Sequence, residues 1–219
     1  MNSFTEENYL KAIYKLVQLS GLAVSTNAIA EKVNTSAASV TDMLKKLSDK
    51  KLIHYKKYQG VTLSSKGEKA ALKIIRKHRL WEMFLVDILD FKWDEVHDIA
   101  EQLEHVNSDK LIEKIDKFLN HPIVDPHGDP IPDANGKLNN PKSHLLSFFN
   151  KNDVCIITGV VDHSTSFLQY LDKSGIALGH EIKIKDIIKF DRSLKITINK
   201  GNNVFISNDV AKNILAINK

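Results

Sequence analysis

Apart from one short hairpin-like stretch, hydrophobic spacing changes period once along this chain, and that change excludes any single-layered fold. Up to about residue 119, apolar residues recur every three or four positions, as on one face of a helix. From about residue 150 they alternate with polar residues, as in half-buried strands. Between the two textures, residues 120–142 hold five prolines (Pro122, Pro126, Pro130, Pro132, Pro141) with Gly128 and Gly136, a composition that breaks regular elements. The fold class expected is therefore α+β: helices first, a stiff loop, then a small β-barrel of four or five strands around Asp153 to Ile206. At 219 residues there is length for one large domain or two to three small ones.

The first third reads as a winged helix-turn-helix, residues 1–64. TEENYLKAIYKLVQL puts Tyr9, Leu10, Ile13, Leu16 and Val17 on one stripe, with Thr5 able to cap and Gly21 as the stop. A short helix follows, capped by Ser25 or Thr26 and running through Val33. A tight Asn34-Thr35-Ser36 turn then leads into a helix from Ala37 to Asp49. LIHYKKYQGVTLS alternates and turns at Gln59-Gly60, which predicts a basic hairpin with strands near Ile53–Lys57 and Val61–Leu63. Residues 1–79 carry 15 Lys/Arg against 6 Asp/Glu, whereas residues 80–219 carry 16 against 21. A basic front with this motif points to double-stranded DNA.

In such a module the start of the second motif helix meets base edges. Those positions are Ser36, Ala37, Ala38, Ser39 and Asp42, with no arginine or glutamine for a bidentate base contact. Base readout is expected to be sparse, with alanine methyls against thymine methyls, so the operator expected is an A/T-rich inverted repeat. Phosphate contacts from Thr5, Thr26, Thr41, Lys45, Lys46 and the wing residues Lys57 and Tyr58 would supply most of the affinity.

The middle region, residues 65–143, holds the acidic chemistry. A helix capped by Ser65 is expected from Lys66 to Leu89, and a second over Trp93–Val106, WDEVHDIAEQLEHV. On a helical wheel His97, Glu101, Glu104 and His105 of that run fall together beside an apolar stripe. His78 and Glu82 repeat the His/Glu spacing of four, and the DPHGDPIP loop adds Asp125, His127 and Asp129. Imidazoles and carboxylates in this density are the donor set of a divalent transition metal rather than of a merely solvated face. Leu85, Ile88, Leu89 and Trp93 give more apolar surface than one internal contact needs, which suggests a dimer interface.

Other classes find less support. The single cysteine, Cys155, excludes an intrachain disulfide and any multi-cysteine metal site, and its apolar run reads as a buried structural thiol. No apolar run reaches the length of a membrane span and Met1 opens onto a polar segment, so a cytoplasmic protein is expected, with no membrane partner. An H-E-x-x-H zinc-hydrolase motif is absent, and so is a nucleophile with a positioned base; an enzyme is not expected. A winged-helix regulator that senses an organic ligand is the remaining alternative.

YLKAIYKL, IAEKV, SVTDMLKKL, GVTLSSKG, IIRKHRLWEMFL, EVHDIAEQLEH and DPHGDPIP occur in that order. Over Thr5 to Pro132 this resembles the diphtheria toxin repressor family of metal-dependent regulators, and most of all its manganese transport regulators. The C-terminal module, residues 144–219, looks like that family's SH3-like (FeoA-type) domain. The resemblance implies a homodimeric, metal-activated transcriptional repressor of metal-uptake genes, with residues 65–143 as its dimerisation and metal-binding domain. It implies two metal sites. Glu101, Glu104 and His105 match the regulatory ligands; His78, Glu82 and His97 match ancillary ones. Asp125, His127 and, less securely, Asp162 match an inter-domain set that joins Glu82. The N-terminal ligand, Met or Asp in relatives, is Asn8 here, and the cysteine of iron-type members is Glu101. Oxygen donors suit Mn²⁺, whereas Fe²⁺, Co²⁺ and Zn²⁺ gain more from sulfur and nitrogen. Manganese is the metal expected, iron the alternative, and Zn²⁺ or Co²⁺ could substitute in vitro.

Overall fold

The structure is a computed structural model that describes residues 2–56, 59–139, 142–199, 201 and 203–219. Lys57 and Tyr58, expected at the wing tip, lie outside the described residues. The chain forms two compact units: residues 1–78, 101–113 and 132–138 make one, and residues 79–100, 114–131 and 139–219 the other.

In the first unit, helix α1 spans Phe4–Ser20, α2 Thr26–Lys32 and α3 Ala37–Asp49. The cap of α1 is Ser3 rather than Thr5. Ser3 Oγ accepts from the Glu6 N–H at 3.3 Å while the Ser3 N–H donates back to Glu6 at 2.9 Å. This reciprocal capping box satisfies two otherwise orphaned donors. Gly21, at φ +65°, closes the helix in the left-handed conformation. Ser25 and Ser36 cap α2 and α3. Leu10, Ile13, Ile29, Val40, Leu44 and Leu47 are fully buried in one core, each contributing roughly 1.5–3 kcal/mol. Strands β1 (Ile53–Lys56) and β2 (Gly60–Leu63) pair antiparallel as the wing, and Val24 bridges Val61 beside them. Helix α4, Ser65–Leu89, follows; Ser64, not Ser65, caps it, its Oγ accepting from the Gly67 N–H at 3.1 Å.

The run Trp93–Val106 is not one helix. Only α5, His97–Leu103, is helical, and residues 93–96 form turns before it. The Trp93 indole donates to Asp172 at 3.1 Å and its carbonyl accepts from His127 at 2.8 Å. These tertiary bonds hold the backbone out of the helix that periodicity alone favoured. Helix α6, Asp109–Phe118, is capped by Ser108 as expected.

The second unit is dominated by a six-stranded antiparallel sheet in the order β3-β8-β4-β5-β6-β7. Its strands are β3 (His144–Leu145), β4 (Val154–Val160), β5 (Glu181–Ile187), β6 (Leu194–Ile198), β7 (Asn203–Ile206) and β8 (Ile214–Asn218). Helix α7, Thr165–Lys173, covers one face with Phe167, Leu168 and Leu171 buried. Near the C-terminus the apolar spacing of residues 208–215 allows a helix, but only α8, Asn208–Ala211, is helical; Ile214–Asn218 instead fills the place between β3 and β4. Ile214 and Ala216 alternate inward there, so β8 was hidden in a short apolar run readable either way, while β3 is only two residues long. Cys155 is buried in this core, and burial followed by the Asp153 charge pushes its thiol up to about 12.

Candidate metal centres and nucleic-acid interface

Two clusters of carboxylates and imidazoles form, one in each unit. In the first, α1 and α4 meet the segment at the end of α5. His78 Nδ1 lies 2.6 Å from Glu104 Oε2, and both side chains are buried. His105 Nδ1 lies 2.7 Å from Glu7 Oε2, while its ring stacks on Phe4 at 4.7 Å. His105 Nε2 faces Glu104 Oε1 at 3.8 Å. Into the middle of this acidic group comes Lys11, whose ammonium donates to Glu104 at 2.5 Å and Glu101 at 2.7 Å. Lys11 is 6% exposed. Asn8, expected as a ligand, is exposed on α1; Lys11, three residues on, is what reaches the carboxylates. A cation therefore fits this donor set, because a cationic group of the chain already sits in it.

In the second cluster, Glu82 from α4 meets Asp125 and His127 from the proline-stiffened loop, with one donor atom of each within 4.8 Å of the others. All three are buried, at 2%, 3% and 1% exposure. His127 Nε2 lies 2.8 Å from the Trp93 carbonyl, an acceptor, so Nε2 carries the proton and Nδ1 presents a lone pair. That Nδ1 is buried without a hydrogen-bond partner. It faces Glu82 and Asp125 oxygens, each at 3.9 Å. Three acceptors facing one another suit a cation between them, and an imidazole held at its far nitrogen by a carbonyl is how a ligand histidine is oriented. Burial, then the charges of Glu82 and Asp129, raise the Asp125 carboxyl well above its usual range, with Arg79 opposing. Arg79 donates to Asp129 at 2.7 Å and holds the loop.

Two glycines let this loop seat. The His127 carbonyl accepts from the Val160 N–H of β4 at 2.9 Å. A Cβ on Gly128 (φ +88°) would stand 2.1 Å from the Thr158 carbonyl oxygen, and one on Gly159 2.9 Å from the His127 oxygen. His97 joins this group at its edge, Nδ1 3.3 Å from Glu82 Oε1. Asp162 is not brought in: its carboxylate accepts from the Ser164 N–H at 2.8 Å. The neighbouring His163 is instead stacked on His127, ring centroids 4.7 Å apart. Sequence reasoning missed both Lys11 and His163; for His163 the only signal was its place beside Asp162.

On the basic module, Ser36, Ala37, Ala38 and Ser39 are exposed at the start of α3, as are Asp42, Lys45 and Lys46 along it. Thr5 is exposed, and Thr26 and Thr41 are partly so. Lys45 pairs with Asp42 at 3.1 Å, which offsets the carboxylate's repulsion of phosphate. Of the residues expected at a dimer interface, Leu85 is buried within its own unit and Trp93 packs on the sheet core. Their side chains are occupied inside the chain; Ile88 and Leu89 remain exposed.

Comparison with known proteins agrees with this geometry. The iron dependent repressor N-terminal DNA binding domain matches residues 2–61, and the iron dependent repressor metal binding and dimerisation domain residues 64–133. The FeoA domain matches residues 144–217. The chain is 35% identical over 128 residues to the iron-dependent repressor IdeR of Mycobacterium leprae, covering 58% of this chain and 55% of that one. The match thus spans about half the length of that curated relative. It is 35% identical over 115 residues to the HTH-type transcriptional regulator MntR of Oceanobacillus iheyensis, covering 52% of this chain and 77% of the other. A solved manganese-dependent transcriptional repressor in complex with manganese superposes with a TM-score of 0.87 at 34% identity, over 98% of this chain and 100% of that one. Winged helix, donor clusters and FeoA-type sheet together define a class of metal-binding transcriptional repressors, not of enzymes. The chain belongs to the iron-dependent (diphtheria toxin) repressor family.

Proposed function

We propose that this protein is a manganese-activated, homodimeric repressor that binds an A/T-rich inverted repeat and governs metal-uptake genes. The observation that carries the metal reading is His127 Nδ1, buried without a hydrogen-bond partner and facing the Glu82 and Asp125 carboxylates, an arrangement that a divalent cation would satisfy. Glu101, Glu104 and His105, with His78, are the regulatory ligands; Glu82, Asp125 and His127, with His97, are the second set. Metal at the first set would fasten α1, through Glu7 beside His105, to the 101–105 segment and so hold the DNA-binding helices in one arrangement. Regulation then requires only that metal bind the DNA-competent arrangement more tightly than the other. Exposed Ile88, Leu89, Phe118 and Ile123 support a dimer surface.

Manganese is preferred over iron because each set offers two carboxylates and no thiolate, Cys155 belonging to neither. Iron remains the second reading, since an iron-dependent repressor is among the relatives. Anaerobic titrations of DNA binding against free Mn²⁺, Fe²⁺ and Zn²⁺ decide between them. Half-saturation by Mn²⁺ within its micromolar availability supports manganese; activation by Fe²⁺ alone contradicts it. Glu101→Cys sharpens the test, because a thiolate favours Fe²⁺, Co²⁺ and Zn²⁺ along the Irving–Williams order. An unchanged order of metal preference in that variant removes Glu101 as a selectivity ligand.

A further inference from the structure

The buried Lys11 ammonium is unusual for where it lies. It donates to Glu104 at 2.5 Å and to Glu101 at 2.7 Å, and Glu104 is 0% exposed. Lysine is almost never buried without an acidic partner, and here it has two, separated from it by 90 and 93 residues of chain. The same two carboxylates are the ones assigned above to the metal, so this inference rests on that reading. In one buried cluster an ammonium and a divalent cation compete for the same two carboxylates and repel one another.

We infer that Lys11 is a resident counter-cation that metal must displace, and that it thereby sets the free-metal threshold of the regulatory site. Without metal, the ammonium neutralises Glu101 and Glu104 and already ties α1 to the 101–104 segment. Breaking a buried, charge-assisted pair by removing one partner is strongly unfavourable, so displacement subtracts directly from the affinity of the incoming ion. The cost lies in the protein and not in the ion. Lys11 therefore lowers the affinity of every divalent metal by the same factor: it sets the threshold without changing the order of preference.

The test compares wild type with Lys11→Met and Lys11→Gln, which shorten the side chain by one atom and remove the charge. Mn²⁺ and Zn²⁺ affinities are measured with a competing fluorescent chelator, on full-length protein whose fold is checked by circular dichroism. Both variants should bind Mn²⁺ and Zn²⁺ at least ten-fold more tightly, with similar factors for the two metals. Wild type needs no mutation for a second readout. Its ¹⁵N-lysine spectrum should contain a protected Lys11 ammonium signal that is lost as diamagnetic Zn²⁺ saturates the site. Affinities unchanged or weakened in the variants, or an ammonium signal that persists at saturation, overturn the displacement role while leaving the metal site standing. Absence of metal binding in wild type and variants alike overturns both.

Discussion

Glu6 on α1 and Lys50 at the end of α3 are joined by hydrogen bonds of 2.7 and 2.8 Å. Lys46 adds a contact of 3.1 Å to the same carboxylate. Glu6 also closes the capping box of α1 with Ser3. One helix therefore grips the DNA-reading helix through Glu6 and, one turn along, the candidate metal cluster through Glu7 and Lys11. On the proposed function, α1 would link the metal cluster to the DNA-binding helices.

Burial alone would raise the Glu6 carboxyl. Hydrogen bonds from Lys50, the Ser3 N–H and Lys46 outweigh it and bring the pKa down from 4.5 to about 2. Because the folded value is the lower one, the stabilisation is complete above pH 4.5 and is lost as pH falls toward 2. Glu6→Gln keeps the cap and removes the charge. It should cost on the order of 1–3 kcal/mol at pH 7, after allowance for the partly exposed lysines. Urea unfolding at pH 7 and pH 3 checks this: the gap between wild type and variant should narrow at the lower pH, and a constant gap contradicts it.

Lys45 and Lys46 project from α3 with exposed side chains. Alanine at either should weaken DNA binding by a similar factor on every sequence, and lower the salt slope by about 1. Fluorescence anisotropy across salt on matched and scrambled duplexes measures both. A loss confined to one base position would make the residue a base reader instead.

His127→Ala should remove one metal equivalent per chain without unfolding the protein, as read by inductively coupled plasma mass spectrometry after dialysis. Asp162→Ala should leave that count unchanged, because its carboxylate serves the Ser164 N–H. Gly128→Ala should be the more damaging change, since its Cβ would stand 2.1 Å from a backbone oxygen at a position with φ +88°. Equal stoichiometry in wild type and His127→Ala would refute the second set.

Cys155 should be inert to thiol reagents at pH 8 in the folded state. Its thiol is raised from 9.0 to about 12, so the thiolate forms far less than in the unfolded chain. Stability should accordingly fall as pH rises from 9 toward 12, where the unfolded chain ionises first. Labelling with a disulfide reagent, with and without urea, checks the first part; rapid labelling of folded protein would place the thiol at the surface.

Much of this was legible because it is local. The helix-turn-helix elements and the wing strands each carry their signals within a dozen positions or so. What escaped was set by distant partners. Trp93–Val106 has a helix's periodicity, yet Asp172 and His127 draw Trp93 out of it. Ile214–Asn218 is a strand only because β3 and β4 flank it. Lys11 reads as one more polar position on an amphipathic helix; only the fold shows that Glu101 and Glu104 come to meet it. The capping box of Ser3 and Glu6, by contrast, is a purely local pattern, and the neighbouring Thr5 is the more obvious hydroxyl beside the helix's first apolar position.

The central claim is that metal at Glu101, Glu104 and His105 turns DNA binding on. The measurement is anisotropy of an A/T-rich inverted-repeat duplex, titrated with wild type and with Glu104→Gln, in buffered free Mn²⁺ and in EDTA. The account predicts that Mn²⁺ tightens wild-type binding at least 100-fold, about 2.7 kcal/mol, while Glu104→Gln stays at the metal-free level in both buffers. Equal wild-type affinity in Mn²⁺ and in EDTA, or full activation of Glu104→Gln by Mn²⁺, would contradict it.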